Sequence, residues 1–538
     1  MRIFSCWRPR RSPGRIPMAK RGINNVDRLK KNPRILIILP NNLGDVIMAT
    51  PVLEGLKARD PDCSIDFLVE QGFEAGIENN PRCDRIIRFS RKEIRDWINS
   101  GKGAAGLDSL KEQLQAINSV EYDTVYNLCQ HSYVSSLMPL IAAKEKRGRQ
   151  YLREGNHAVP DTWSQYLYAI PWYRPANNLH ATDVYRRIAS VKEHGGGYSI
   201  FLTRDEKEDA TRWLDAQGID CEQEKIMIFQ PGAAFSAKRW PVEHFVALGR
   251  MLVKDGWRIV VTGALAELDS ATGVQQGIGE GCTLAAGATT FRKSMAIISF
   301  AKGCITGDTA AMHAAAALNV PLYALFGPTN PVETGPWGKG HYVFSSHCTR
   351  RPCFCTKCKS MLCMKSILPE TIYSCIRRGT PGNAPTCDIY ITKLHPHGDY
   401  RCVPTSPDCY SYYDTGTAAL TRAMCGDRVD YSAADNEEPG EEIKITGEIA
   451  KKTESMAQEL KKYLLDRDTA HIKEYEALKS SVGRYEHIGA FWFALLNIRL
   501  NSVPLLDPVA GVEKSSRICR NYTAELRRLA SPDSNPAG

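Results

Sequence analysis

RILIILP, residues 34–40, runs directly into NNLGDVIMATP, residues 41–51. The first stretch is a continuous apolar run without alternation, which marks a strand buried on both faces, as in a parallel sheet. The second opens on a glycine-containing turn and passes into a helical pattern over 45–59. Strand, tight turn and helix together make the first half of a βαβ unit. SIDFLV (64–69), DRIIRF (84–89) and YDTVYNL (122–128) repeat the strand pattern with helical material between them. Residues 145–180, rich in Arg, Tyr, Trp and Pro, read as loops and an irregular helix.

A second alternation begins near residue 199. Its strands are KIMIFQ (225–230), WRIVVT (257–262), CTLAA (282–286), GCITG (303–307) and PLYALF (321–326), with helices at 242–255, 266–277, 291–301 and 309–318. The pattern predicts an α/β chain with two doubly wound, Rossmann-like domains, 34–195 and 196–380, facing a cleft. Ligands in such sheets bind beyond the carboxyl ends of the strands. Residues 381–538 form an appendage, mostly helical or irregular. Within it Ile449, Met456, Leu460 and Leu464 share one helical face, and 484–500 reads as a more apolar helix. Residues 1–33 read as a basic, disordered tail.

Composition narrows the class. The 538 residues carry a net charge of +9, and the tail holds ten of the 69 Lys and Arg against one of the 60 Asp and Glu. The body is therefore neutral, which argues against a nucleic-acid footprint. No run approaches the ~20 apolar residues of a membrane span. Ile3–Trp7 is too short for the apolar segment of a secretory signal, so the expected compartment is cytoplasmic, and Met18 is an alternative start to Met1.

Three strand ends carry the chemistry. Gly44 permits the turn after the first strand and Asp45 lands at the cleft, where a carboxylate can act as general base or simply cap the next helix. After Gln230, Pro231–Pro241 (PGAAFSAKRWP) is a glycine-opened loop ending in Lys238 and Arg239, suited to phosphate or else a solvated basic loop. After GCIT come Gly307, Asp308, Thr309 and His313 before the helix AAAAL. The helix start favours an anionic diphosphate, while Asp308 as a cap and His313 as a core residue are the plain alternatives.

These fragments, with FGPTNP (326–331) and TGPWG (334–338), occur in an order that resembles glycosyltransferase family 9, the heptosyltransferases of lipopolysaccharide core synthesis. The resemblance covers about residues 34–370. It implies a GT-B fold, with the acceptor in the first domain and a nucleotide sugar in the second. It further implies inverting transfer of a sugar, heptose from ADP-heptose, to a lipopolysaccharide-core or related glycolipid acceptor, without a catalytic cofactor or metal. Carried over, Asp45 is the general base. Lys238 contacts the donor phosphates, Glu267 holds the ribose, Thr289 lies at the base, and Asp308, Thr309 and His313 form the donor-sugar and diphosphate loop. Ala310 stands where many members have Gly, and Ala233 and Ala234 replace hydroxyl residues, which bears on donor identity. An anionic lipid acceptor also implies peripheral association with the inner membrane, assisted by the basic tail.

Ten of the eighteen cysteines fall between Cys348 and Cys425. In the loop 348–363, Cys348, Cys353, Cys355, Cys358 and Cys363 could supply the four ligands of a structural zinc, or remain free thiols. Cys387, Cys402, Cys409 and Cys425 with His395 and His397 are a more widely spaced second set. Two other classes thus remain open at this point: a non-catalytic sugar-nucleotide-binding scaffold, and a metal or redox protein centred on the cysteines.

Overall fold

The structure is a computed structural model describing residues 32–152, 157–174, 177–191, 196–348, 351–358, 360–382, 384–394, 399–409, 440–466, 469–482, 496, 500 and 508–529. The first sheet comprises β1 (Arg34–Ile38), β2 (Ser64–Glu70), β3 (Arg85–Phe89), β4 (Tyr122–Asn127) and β5 (Ala143–Arg147), in the order β3-β2-β1-β4-β5. All its pairings are parallel, and β1 lies centrally with Ile38 beside Leu68 and Asn127. Ile35 to Ile38 are buried on both faces, which is why the run shows no alternation. Such side chains contribute about 1.5–3 kcal/mol each.

Helices α1 (Leu43–Met48), α2 (Thr50–Arg59), α3 (Arg91–Asn99), α4 (Gly103–Ile117) and α5 (Ser132–Leu137) connect these strands. The single helix expected over 45–59 is two, because Pro51 lacks the N–H that would continue α1. The segment read as irregular contains a strand pair, β6 (Gln150–Tyr151) with β7 (His157–Ala158), and a full helix, α6 (Thr162–Tyr173). Asp161 caps α6 by accepting from Ser164 N–H at 2.7 Å. Helix α7 (Ala181–Ile188) follows.

The second domain opens with α8 (Arg204–Ala216), started by a reciprocal Thr203–Glu206 capping box. Its strands are β8 (Lys225–Gln230), β9 (Trp257–Val261), β10 (Cys282–Leu284), β11 (Gly303–Gly307), β12 (Leu322–Phe326), β13 (Tyr342–Ser346), β14 (Cys387–Leu394) and β15 (Tyr400–Pro404). The order is β10-β9-β8-β11-β12-β13-β14-β15, parallel through β13 and antiparallel thereafter. Helices α9 (Val242–Lys254), α10 (Leu268–Ile278), α11 (Phe291–Ile298), α12 (Ala310–Ala317), α13 (Pro331–Thr334), α14 (Leu362–Lys365) and α15 (Pro369–Arg378) lie between them.

The sheet therefore runs past residue 380, where the sequence pattern places the start of an appendage. Asp388 conceals β14 by breaking its apolar run. It is nonetheless buried, held by Arg351 and by His347 Nε2 at 2.9 Å. The β14–β15 pair also reaches the first half of the chain. Arg187 of α7 donates to both oxygens of Asp399 at 3.0 and 3.2 Å, and Asp183 accepts from Tyr400 N–H at 3.1 Å.

Beyond it, helices Gly440–Asp466, Thr469–Val482 and Pro508–Leu529 are described. Ile449, Met456 and Leu460 are buried as their spacing predicts. The Leu464 side chain, most of the apolar segment 484–500 and the tail 1–31 lie outside the described residues.

Candidate functional site

Each sheet reverses its strand order at one point, and there the loops splay apart to leave a crevice. In the first sheet the reversal lies between β1 and β4; in the second, between β8 and β11. The two crevices face each other across one cleft of about 930 Å³. Asp45, Lys238, Glu267, Thr289, Asp308, Thr309 and His313 all line it. Residues 268 positions apart in the chain, Asp45 and His313, thus meet on one surface.

On the first wall, Asn42 takes the cap position of α1 and Asp45 sits three residues on, within the first turn. Asp45 Oδ2 accepts from Asn41 Nδ2 at 2.6 Å and from Asn42 Nδ2 at 3.2 Å. Asn41 Oδ1 lies 2.9 Å from His131 Nε2, on the loop after β4. Burial and Arg91 lower the basicity of His131, so the ring is neutral near pH 7 and can donate to Asn41. That fixes the amide with its NH2 toward Asp45. Burial pushes the Asp45 carboxyl up to about 6; Asn42 and Lys238 pull it down, and Asp308 pushes it further up. The group is ionised near neutrality yet more basic than an ordinary carboxylate, which suits proton abstraction.

The opposite wall closes its reversal point with an ion pair. Lys238 Nζ donates to Asp308 Oδ2 at 2.6 Å, with both side chains largely buried. Burial works against the Asp308 charge, but Lys238 outweighs it and holds the carboxyl below its usual range. Thr309 caps α12 at the edge of the cleft, its hydroxyl 2.9 Å from Thr306 Oγ1. His313 is pushed down to about 4 by burial, so it is neutral, and its Nδ1 finds no hydrogen-bond partner.

Two glycines are required by close approach. A Cβ on Gly44 would lie 2.8 Å from the His313 ring, where α1 meets α12. A Cβ on Gly232 would lie 2.0 Å from Glu267 Cδ. Without it, Glu267 lies across the loop, accepting from Ala264 N–H at 2.9 Å and Gln230 Nε2 at 3.0 Å. Thr289 spends its hydroxyl locally, on Ala285 O at 3.1 Å and Ser294 Oγ at 2.7 Å.

Several lining residues escape the sequence reading: Asn41, His131, Arg174, Thr329 and Glu333. The GPTNP motif contains Thr329, and Glu333 follows it by two residues. His131 and Arg174 carry no local signature.

The cysteine loop is arranged differently from a zinc cradle. Cys363 is buried beneath Gly327, whereas Cys353 is exposed. Among the described residues no three His, Cys, Asp or Glu side chains are grouped to hold a metal ion, and the described cysteines are free thiols. Of the wider set, Cys387 and Cys402 are buried within β14 and β15, while His395, His397 and Cys425 lie outside the described residues.

Two facing Rossmann-like domains with a ligand cleft at both reversal points make up the GT-B fold. Residues 110–363 match the model of glycosyltransferase family 9 (heptosyltransferase). Lipopolysaccharide heptosyltransferase 1 of Pseudomonas aeruginosa is 26% identical over 348 residues, covering 60% of this chain and 87% of its own. Lipopolysaccharide heptosyltransferase 3 of Escherichia coli K12 is 27% identical over 361 residues, covering 64% and 97%. Among solved structures, E. coli ADP-heptose lps heptosyltransferase II superposes with a TM-score of 0.48 at 19% identity, covering 64% of this chain and 98% of that one. Residues 110–363 are thus of the glycosyltransferase family 9 type, and the chain is a glycosyltransferase similar to those of lipopolysaccharide synthesis. Asp45 lies upstream of the residues matched by the family model.

Proposed function

We propose that the protein transfers heptose from ADP-heptose to a hydroxyl of a lipopolysaccharide-core acceptor, with inversion. The observation that carries this reading is the convergence of all seven side chains on one cleft, with the basic carboxylate on one wall and the Lys238–Asp308 pair on the other. Asp45 takes the proton of the acceptor hydroxyl as its oxygen attacks the anomeric carbon. The bond to the diphosphate breaks on the opposite face. Lys238 and the N-terminus of α12 stabilise the departing charge. The positive potential comes from the protein itself, so the reaction is read as metal-independent. The relatives named as heptosyltransferases support the choice of sugar.

Donor identity is tested by thermal stabilisation, since a ligand that binds the folded state raises its stability by mass action. ADP-heptose should raise Tm by several degrees at concentrations where UDP- and GDP-sugars do not. An equal or larger shift with a UDP- or GDP-sugar would overturn the choice of donor.

The acceptor places the enzyme at the cytoplasmic face of the inner membrane. No helix among the described residues is long and apolar enough to cross a membrane. Attachment is assigned to the basic tail, in which each Lys or Arg contributes about 1 kcal/mol near an anionic surface. Deleting residues 1–33 should reduce sedimentation with anionic vesicles and spare turnover on a soluble acceptor. Equal sedimentation of both forms would refute this.

A further inference from the structure

The loop and short helix after β12 contribute polar groups to the cleft that the mechanism above leaves unused. Thr329 and Glu333 are buried, at 3% and 7% exposure, and both line the cleft with Thr334. The hydroxyl of Thr334 finds no hydrogen-bond partner, and that of Thr329 faces the Asp308 carboxylate, to which it can donate. Glu333 Oε2 accepts from Asn177 Nδ2 at 3.1 Å, but Oε1 has only Arg174 Nε at 3.8 Å, too long for a hydrogen bond. A polar atom withdrawn from water without a partner costs stability, and a native fold rarely retains one unless something else satisfies it.

Their place in the sheet identifies the occupant. Strand β12 pairs with β11, so its end lies beside the end that presents Asp308 and Thr309. Glu333 also lies within electrostatic reach of both Asp45 and Asp308, and burial raises its proton affinity. A group bonded to a diphosphate held at Lys238 and Thr309, and attacked from the side of Asp45, lies between those walls. This group is the transferred sugar. A carboxylate oxygen short of a hydrogen bond, the partnerless Thr334 hydroxyl and the second Thr hydroxyl beside Asp308 match the donors and acceptors of a polyol.

We infer that Thr329, Glu333 and Thr334 form the subsite for the hydroxyl groups of the transferred sugar and set the preference for nucleotide sugar over bare nucleotide. The inference rests on the donor proposed above.

The test measures binding of ADP and of ADP-heptose to the full chain by calorimetry, for the wild type, Glu333→Gln and Thr334→Val. Glu333→Gln keeps the shape and the contact with Asn177. Thr334→Val removes only the hydroxyl, and covers the case in which the buried Glu333 variant fails to fold. The wild type should bind ADP-heptose more tightly than ADP. Each variant that folds should keep its ADP affinity within about twofold and lose at least fivefold of its affinity for ADP-heptose. Loss of ADP and ADP-heptose affinity in parallel, or an unchanged ratio, would overturn the inference and leave the donor assignment standing. So would an unchanged ratio with a raised acceptor KM, which would give these residues to the acceptor. A wild type with no preference for ADP-heptose would overturn the donor assignment, and this inference with it.

Discussion

Asp45→Asn is expected to lower turnover by 10²–10⁴ while donor affinity is retained. Asparagine preserves the size of the side chain, and its carbonyl oxygen can still accept from Asn41 and Asn42, which hold Asp45 at 2.6 and 3.2 Å. Only basicity is lost, and general-base assistance is typically of that size. The cap of α1 belongs to Asn42, so the substitution leaves the helix start in place. Stability should move the opposite way from activity. Burial pushes the folded carboxyl up to about 6 from its ordinary 3.8, so the ionised form is disfavoured by folding. That cost is absent below the lower value, grows between the two and is complete above pH 6. Asparagine removes it, so the variant should melt higher than the wild type near pH 7.5, by up to about 3 kcal/mol of stability, and the two should converge near pH 4. Wild-type transfer should correspondingly fall as pH drops through 6. A variant keeping more than about a tenth of wild-type turnover, with chemistry rate-limiting, would remove Asp45 from the mechanism.

Lys238→Ala should weaken donor binding by roughly 10- to 100-fold, the loss of one charge-assisted contact to phosphate worth about 1.5–3 kcal/mol. The same change strips Asp308 of the cation 2.6 Å away. Lys238 is what holds the Asp308 carboxyl below its usual range against burial, so in the variant that carboxyl moves up and repels the diphosphate while ionised. Donor affinity in Lys238→Ala should therefore recover partly as pH is lowered, a dependence the wild type lacks. Calorimetry across pH reads both effects. Unchanged donor affinity would confine Lys238 to a structural ion pair with Asp308.

The elements legible in the sequence are those whose cause is local. The run 34–40 announces a doubly covered strand because each of its side chains after Arg34 is buried where it stands. Gly44 and Asp45 follow it within one turn, and PG…KRWP and GDT…H sit at strand ends in the same way. The residues that complete the site act through space. His131 orients Asp45 through Asn41, a contact spanning 90 positions, and Arg174 reaches Glu333 across 159 positions. No periodicity encodes such pairs. The β14–β15 pair was hidden for a related reason. Asp388 reads as a solvent-facing charge, and nothing nearby in sequence shows that Arg351 and His347 neutralise it inside the fold.

The bond between Arg187 and Asp399 bears on how the chain can be divided. A fragment cut at residue 380, where the apolar alternation stops, would keep every side chain assigned to transfer. It would nevertheless leave the buried Arg187 guanidinium without the bidentate carboxylate 3.0 Å away, with Asp183 left to balance it, and so destabilise the fold. A truncation meant to keep the fold should therefore retain the hairpin through Pro404, which behaves as a brace of the domain it borders rather than as a detachable tail.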